Sequence, residues 1–374
     1  MQFIDLQAQY ANLKSRIDSR IQQVLDHGQF IEGPEVSEFK LLIQEFLGTN
    51  HAIPCGNGTD ALLLGLMAMG VKQGDAVFCP AFTFYATAEA ITACGATPVF
   101  VDCDQDTFNI SPSSLEAAIK QVVTGNELSP KAVITVDLFG LPADYSAITD
   151  IAKKFDLGVL EDAAQSIGGE YRGKRTGSFG DVAITSFFPS KPLGCYGDGG
   201  AVFTNNDDYA ELIRSFSHHG KGENKYDNVR VGMNSRLDTI QAAILIEKLE
   251  EFPAELKRRS EVAAQYSAHL DGLVTVPTVP EYYRSAWAQY TIRVPRREEL
   301  RKGLAEAGIP AVVYYPKCLH QQPVFAEGKR SFLAPVDLSQ SEKLSKEVLS
   351  LPMHPYLEDS EIDAICKQVK SILD

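Results

Sequence analysis

Between about residue 50 and residue 205, short and wholly apolar runs alternate with helix-length amphipathic segments, and this alternation limits the fold more than any other feature of the chain. "HAIPC" leads into "TDALLLGLMAMG", "DAVFCP" into "FYATAEAITACG", "TPVFVDC" into "SPSSLEAAIKQVV", and "KAVITVDLFG" into "DYSAITDIAKKF", with "LGVLEDAA" next. A strand that is apolar along its whole length has to be covered on both faces, and helices inserted between successive strands give that cover when the strands lie parallel. The pattern predicts an α/β domain on a mostly parallel sheet. Ligands of such sheets collect at the carboxyl ends of the strands, where loops and helix N-termini meet.

"DVAIT" and "GGAVFTNN" read as two further strands, and the loop between them, "SFFPSKPLGCYGDGG", carries Lys191. Most loop lysines are solvated surface residues; a reactive amine is the other reading, and it depends on what else the chain supplies. After residue 205 the pattern changes. "RLDTIQAAILIEKLEEF" and "AELKRRSEVAAQYSAHL" are expected to be two long helices broken at Pro253. Beyond them "SAWAQYTIRVP" and "IPAVVYYP" read as strands, and "REELRKGLAEAG" and "DSEIDAICKQVKSIL" as helices. The expected division is a large α/β domain with an N-terminal helical segment over residues 1–240, then linking helices and a small α+β domain over 241–374. The N-terminal helices are expected to lie across the sheet edge or against a partner.

A formal net charge of −14 and a chain without clustered basic residues exclude nucleic acid and acidic membrane as partners, because both require Lys and Arg against phosphate. The N-terminus lacks the continuous apolar core of a signal peptide, and no later stretch has the length of a membrane span, so a cytoplasmic protein is expected. The seven cysteines are scattered, with no paired spacing and no nearby histidine; neither a metal site nor a disulfide framework is indicated.

Three stretches carry chemistry. In "CGNGTDALLLGL" a glycine turn follows a strand and opens a helix, an arrangement in which first-turn amides and the helix dipole favour an anion, with Gly56 and Gly58 allowing close approach. Thr59 and Asp60 are the expected caps, and a plain helix cap is the competing reading. The stretch is neither a Walker loop nor a three-glycine dinucleotide motif. In "LGVLEDAAQS" an apolar strand ends in Glu161 and Asp162, and a carboxylate buried there needs a cation or donors, unless Asp162 merely caps a helix. Gln165 stands one helical turn on. Lys191 is the third element. An anion site, a strand-end aspartate and a loop lysine together match what pyridoxal 5'-phosphate (PLP) requires: an anchored phosphate, an acid partner for the ring nitrogen, and an amine for a Schiff base.

The stretches "GNGTDALLLGL", "PAFTFYATAEAITACGATPVFVD", "LEDAAQSIGGEYRGKRTGSFGDVAITSFFPSKPLGCYGDGGAV" and "GMNSRLDTIQAAIL" resemble the DegT/DnrJ/EryC1/StrS family of sugar aminotransferases over nearly the whole chain. The resemblance implies the aspartate-aminotransferase-like architecture, fold type I. It implies that Lys191 bonds the cofactor and shuttles protons, that Asp162 pairs with the ring nitrogen and Gln165 with the ring oxygen. Phe84 would stack on the ring, its rival reading being a core aromatic. Gly58, the amides of Thr59 and Asp60 and the Ser186 hydroxyl would hold the phosphate, and Asn234 would reach the site from the opposite subunit of a homodimer.

The stretches "FIDLQAQY", "VLDHGQFIEGPEV" and "SFFPSKPLGCYGDGGA" resemble the branch of that family that aminates the 3-keto group of a UDP-linked N-acetyl-hexuluronate, on the way to bacterial surface polysaccharides. L-Glutamate is the implied donor, and pyridoxamine phosphate the form of the cofactor that carries the amine. The substrate's carboxylate calls for a cation, and Arg236 is the residue expected to meet it, unless it caps or pairs at the start of its helix. Tyr315 and His320 lie where the family contacts substrate, and Lys317 is a further cation nearby. A 3-keto- or 4-keto-6-deoxy nucleotide sugar is the alternative substrate; the family's dehydratases, which have histidine at the lysine position, are set aside by Lys191, and a non-catalytic regulator by the retention of Lys191, Asp162, Ser186 and Asn234.

Overall fold

The computed structural model describes residues 1–224 and 226–374. Helices α1 (Leu6–His27) and α2 (Pro34–Leu47) come first. The alternating region then yields β1 (His51–Cys55), α3 (Gly58–Ala68), β2 (Asp75–Pro80), α4 (Ala86–Ala93), β3 (Thr97–Val101), α5 (Pro112–Gly125), β4 (Ser129–Val136), α6 (Tyr145–Lys154) and β5 (Gly158–Asp162). A short hairpin of β6 (Glu170–Tyr171) and β7 (Lys174–Arg175) precedes β8 (Val182–Ser186) and β9 (Gly200–Thr204), which flank the Lys191 loop as expected.

Apart from β6 and β7, these strands form one sheet in the order β1-β9-β8-β5-β4-β2-β3. Only β9 runs against the rest, pairing antiparallel with both β1 and β8. Period-2 alternation sends Val77 and Cys79 of β2 to one face, under α3 and α4, and Ala76 and Phe78 to the other, under α5 and α6. Both faces are buried, which is why the strands read as continuous apolar runs. Register then places the site: Cys55 and Ser186 both sit opposite Gly200, and Asp162 sits opposite Ile184, so the ends of β1, β5 and β8 open on the same side.

Helix α7 (Asp207–Ser217) packs Ala210 and Ile213 on the α3 side of the sheet. Next comes α8 (Thr239–Leu270), a single helix where the sequence led us to expect a break at Pro253. Proline in a helix interior costs about 3 kcal/mol. Burial outweighs it here: Leu245, Leu249 and Phe252 pack under the sheet before the proline, and Val262, Tyr266 and Leu270 enter a second core after it, each worth about 1.5–3 kcal/mol. Pro253 itself faces outward. The passage from one core to the other therefore falls inside α8.

Strand β10 (Tyr283–Arg284) pairs with β6 to extend the β6–β7 sheet; after it, the second core surrounds a two-stranded antiparallel sheet of β11 (Tyr290–Arg293) and β12 (Val348–Leu351). Around it lie α9 (Arg297–Glu306), the short α10 (Pro323–Ala326), α11 (Ser339–Glu347) and α12 (Asp359–Leu373). "IPAVVYYP", expected as a strand, is not one: it makes a single bridge, Val312 to Ser350, and Pro310 and Pro316 at its ends remove two amides a ladder would need.

Helix α2 packs Phe39, Ile43 and Leu47 beside the edge strands, whereas α1 lies on α8, with Leu13 and Ile17 against Ile244. Glu247 of α8 accepts hydrogen bonds from Nε of Arg16 at 2.7 Å and of Arg20 at 2.6 Å. It is 7% exposed, so its removal takes one carboxylate from each of two guanidinium groups at a half-buried seam, leaving Arg16 with Glu250 and Arg20 with Glu38. E247A is expected to lower stability by about 1–2 kcal/mol, with hydrogen exchange accelerating first in α1; unchanged urea denaturation would contradict this.

Candidate active site

The glycine turn after β1 is shaped by close approach. A Cβ on Gly58 would come within 2.7 Å of the Ser186 Cβ, so glycine there allows the start of α3 to lie against the end of β8. Gly200 is equally constrained, its Cβ position being 2.5 Å from the Asn57 carbonyl. The cap of α3 differs from expectation. Asn57, and neither Thr59 nor Asp60, caps the helix, its Oδ1 accepting from the Asp60 amide at 2.8 Å. The Asp60 amide is thus engaged, and Gly58 and Thr59 retain first-turn amides without intrahelical partners. The Asp60 carboxylate accepts from the Ser235 hydroxyl at 2.6 Å, and that hydroxyl accepts from the Gly56 amide at 2.9 Å. This bridge ties the turn to the 234–236 segment and was not anticipated; an Asn three residues before Asp60 at a helix start was the available signal for the cap.

At the end of β5 the two carboxylates point to opposite faces. Glu161 is fully buried and accepts from the Gly177 and Phe179 amides, both at 2.6 Å, which makes it a structural brace; burial pushes its carboxyl well up. Among the described residues the Asp162 carboxylate accepts only from the Ala164 amide, at 3.0 Å. Burial raises its carboxyl to about 6, against the pull of that amide and of the Lys191 charge. Burial likewise lowers the Lys191 ammonium, which the Asp162 charge opposes. Lys191 and Asp162 are therefore each other's electrostatic neighbours, across the loop that the sequence left ambiguous. The segment after Asp162 forms turns rather than the helix assumed for it.

Gln165, on one of those turns, accepts from the Phe139 amide at 2.7 Å and donates to the Tyr315 hydroxyl at 3.0 Å. The Tyr315 ring lies 6.0 Å from that of Phe84 and 6.2 Å from that of Phe82. Phe84 is 55% exposed, which removes the core-aromatic reading and leaves an aromatic face available. The Ser186 hydroxyl accepts from the Phe188 amide at 3.2 Å, at the entrance of the lysine loop.

Three expected residues stand apart from this cluster. Asn234 is exposed, and its neighbours come from the 217–219 backbone. Arg236 makes no ion pair among the described residues, so the helix-pairing alternative does not hold; it shares a cleft with His218, His219 and Lys221. His320 is a correction. Its Nε2 meets Glu342 at 2.9 Å and its ring packs near Phe100, so it serves the seam between β3 and α11 and touches none of the cluster. Lys317 is exposed. A further buried carboxylate, Asp137, went unread: it accepts from Tyr145, Ser166 and the Ala143 amide and holds the loop that presents Phe139 to Gln165.

The arrangement fits PLP. The glycine cradle with Ser186 and two unpaired amides suits a phosphate, Asp162 is a buried carboxylate short of donors, Lys191 is an amine whose proton is loosened by burial, and Phe84 and Gln165 offer a ring face and a donor. Among the described residues no group of three or more His, Cys, Asp or Glu could hold a metal, and no helix is long and apolar enough to cross a membrane.

The model of the DegT/DnrJ/EryC1/StrS aminotransferase family matches residues 11–370. The chain is 48% identical to the UDP-2-acetamido-2-deoxy-3-oxo-D-glucuronate aminotransferase of Pseudomonas aeruginosa, over 98% of both chains. A DegT/DnrJ/EryC1/StrS aminotransferase structure from Brucella abortus superposes with a TM-score of 0.97 at 50% identity, covering 99% of each chain. NtdA of Bacillus subtilis, solved with its cofactor pyridoxamine phosphate bound, superposes with a TM-score of 0.87 at 30% identity over 99% of this chain and 83% of its own.

Proposed function

We propose, from the premise that this chain belongs to the DegT/DnrJ/EryC1/StrS aminotransferase family, that it moves the amino group of L-glutamate to the 3-keto group of a UDP-linked 2-acetamido-2-deoxy-hexuluronate. The family is PLP-dependent, and the chain is a nucleotide-sugar aminotransferase of that kind. What carries the choice of sugar is the similarity to the Pseudomonas enzyme across the length of both chains. Arg236 supports it, since a guanidinium without an ion pair suits a sugar carboxylate bidentately.

PLP supplies an electron sink for the carbon that loses a proton. The chain's residues do the rest. The Gly58 and Thr59 amides and Ser186 would hold the phosphate, and Asp162 would hold the ring nitrogen protonated. Lys191 Nζ takes the proton from the donor's carbon and later delivers one to the sugar's; its burial favours the neutral amine this needs. Phe84 and Tyr315 close over the site and limit water. Tyr315, from the C-terminal part of the chain, reaches Gln165 beside the end of β5. The reading places the reaction in the cytoplasm, in the supply of amino sugars for surface polysaccharide. Glutamate labelled with 15N should give a 3-amino sugar carrying the label; an unlabelled product would refute the donor.

The site is read as shared in a homodimer, with Asn234 and Arg236 entering the partner's site. That Asn234 is exposed and Arg236 lacks an ion pair supports this. K191A and R236A would each be inactive alone, yet mixing the two after exchange should restore roughly a quarter of the wild-type sites, since half the dimers are mixed and each regains one intact site. No recovery, with exchange verified by mass, would place Arg236 in its own chain's site.

A further inference from the structure

Lys248 of α8 is 2% exposed, and long charged side chains are almost never buried so fully without a partner. No carboxylate pairs with it among the described residues. Its Nζ instead donates to the Gly194 carbonyl at 2.6 Å and lies 4.1 Å from the centroid of the Tyr196 ring, a cation–π contact. Burial pulls the ammonium down to about 8. Both partners belong to the loop between β8 and β9 that carries Lys191. Within that loop the Lys191 amide donates to the Phe188 carbonyl at 2.9 Å, and a Cβ on Gly194 would lie 2.6 Å from the same carbonyl. Gly194 and Phe188 thus close a turn with Lys191 inside it. Two turns of α8 earlier on the same face, Gln241 Oε1 accepts from the Tyr196 amide at 2.9 Å.

A buried cation without an ion pair is an expensive way to fill space; an apolar side chain of similar volume is often neutral or stabilising in its place. We propose that Lys248 is a positioning residue: by pinning the Gly194 carbonyl from behind, it holds the turn that aims the Lys191 amine at the reacting carbon. This rests on Lys191 being the cofactor-bearing lysine. Proton transfer depends steeply on placement, so loosening the turn slows the chemical step and leaves binding of the amino donor as it was.

The test compares the K248M and K248R holoenzymes with wild type and with E247A, a control that weakens the α1–α8 seam without touching the loop. Each is mixed with L-glutamate, and the bleaching of the visible cofactor band is followed in a single turnover, alongside thermal melting. K248M is expected to melt within a few degrees of wild type, because losing a buried charge and losing its hydrogen bond act in opposite directions. Its bleaching should slow roughly tenfold to a hundredfold at saturating glutamate, with half-saturation unchanged, and K248R, which keeps a cation and donors, should recover most of the rate. Bleaching of K248M at the wild-type rate, or a loss no larger than that of E247A, overturns the proposal. Should K248M not fold, K248Q is read by the same measurements and the same criteria. A wild-type holoenzyme with no band for glutamate to bleach would instead sink the aminotransferase reading itself, which keeps the two failures separate.

Discussion

K191A should lower the rate of transamination by roughly 10⁴-fold or more, because on the proposed reading its amine both holds the cofactor and moves the proton between carbons. Fold and cofactor pocket should survive, since Lys191 makes no side-chain hydrogen bond or ion pair in the described structure and its loop is fixed by the Phe187–Gly199 and Cys195–Phe187 backbone hydrogen bonds and by Lys248 on the Gly194 carbonyl. K191R keeps a positive charge and should be as inactive as K191A, because a guanidinium does not give up its proton. Steady-state rates and a circular dichroism spectrum of each variant check this. Activity of K191A within tenfold of wild type would mean that another base works in the site.

The second large effect is at Asp162, and it has two signs. D162N should reduce kcat by roughly 10²–10³, the usual loss when a fixed charge that stabilises the reacting centre is removed. The same change should stabilise the cofactor-free protein. Unfolded, an aspartate ionises near about 3.9; folded, Asp162 does so at about 6. Between those values the folded protein holds a proton that the unfolded chain has lost, so this group's contribution is full below about pH 4 and falls as pH rises through 6. The difference of about two units corresponds to about 3 kcal/mol. Cofactor-free D162N should therefore exceed wild type in stability by up to that amount above pH 6, and match it near pH 4. Urea denaturation across this range decides it; a D162N protein less stable than wild type at pH 7 would show that the carboxylate is satisfied without the cofactor.

The strands of the main sheet were legible because double burial writes itself as unbroken apolar runs, and α3, α5 and α6 between them because they open on the polar caps Asn57, Ser111 and Asp144, whereas α4 has no side-chain cap. Pro253 misled because propensity is local and the two cores that bury α8 are not. "IPAVVYYP" misled for the opposite reason: its β-branched and aromatic content suits a strand, but a strand needs a ladder and its prolines leave only one bridge. The strand-end position of Asp162 and the loop position of Lys191 could be read from the pattern, and the structure has both. The Asn57 cap had a local signal in the Asn three residues before Asp60; the Asp60–Ser235 bridge and the burial of Lys248 had none, as each depends on segments far apart in the chain: 175 residues between Asp60 and Ser235, and 54 between Gly194 and Lys248. His320 shows the converse, a residue in a suggestive stretch whose partner, Glu342, belongs to the scaffold.

The central claim is that one site takes an amine from glutamate and gives it to an acidic keto sugar, and the cofactor's own absorbance reads both halves. The holoenzyme is treated with L-glutamate until the visible band disappears, the glutamate is removed, and keto nucleotide sugars are added singly. The account predicts that the band returns with the UDP-linked 3-keto-hexuluronate and that R236A abolishes this return while leaving the glutamate step intact. A band that returns only with a neutral 6-deoxy keto sugar, in wild type and R236A alike, would contradict it.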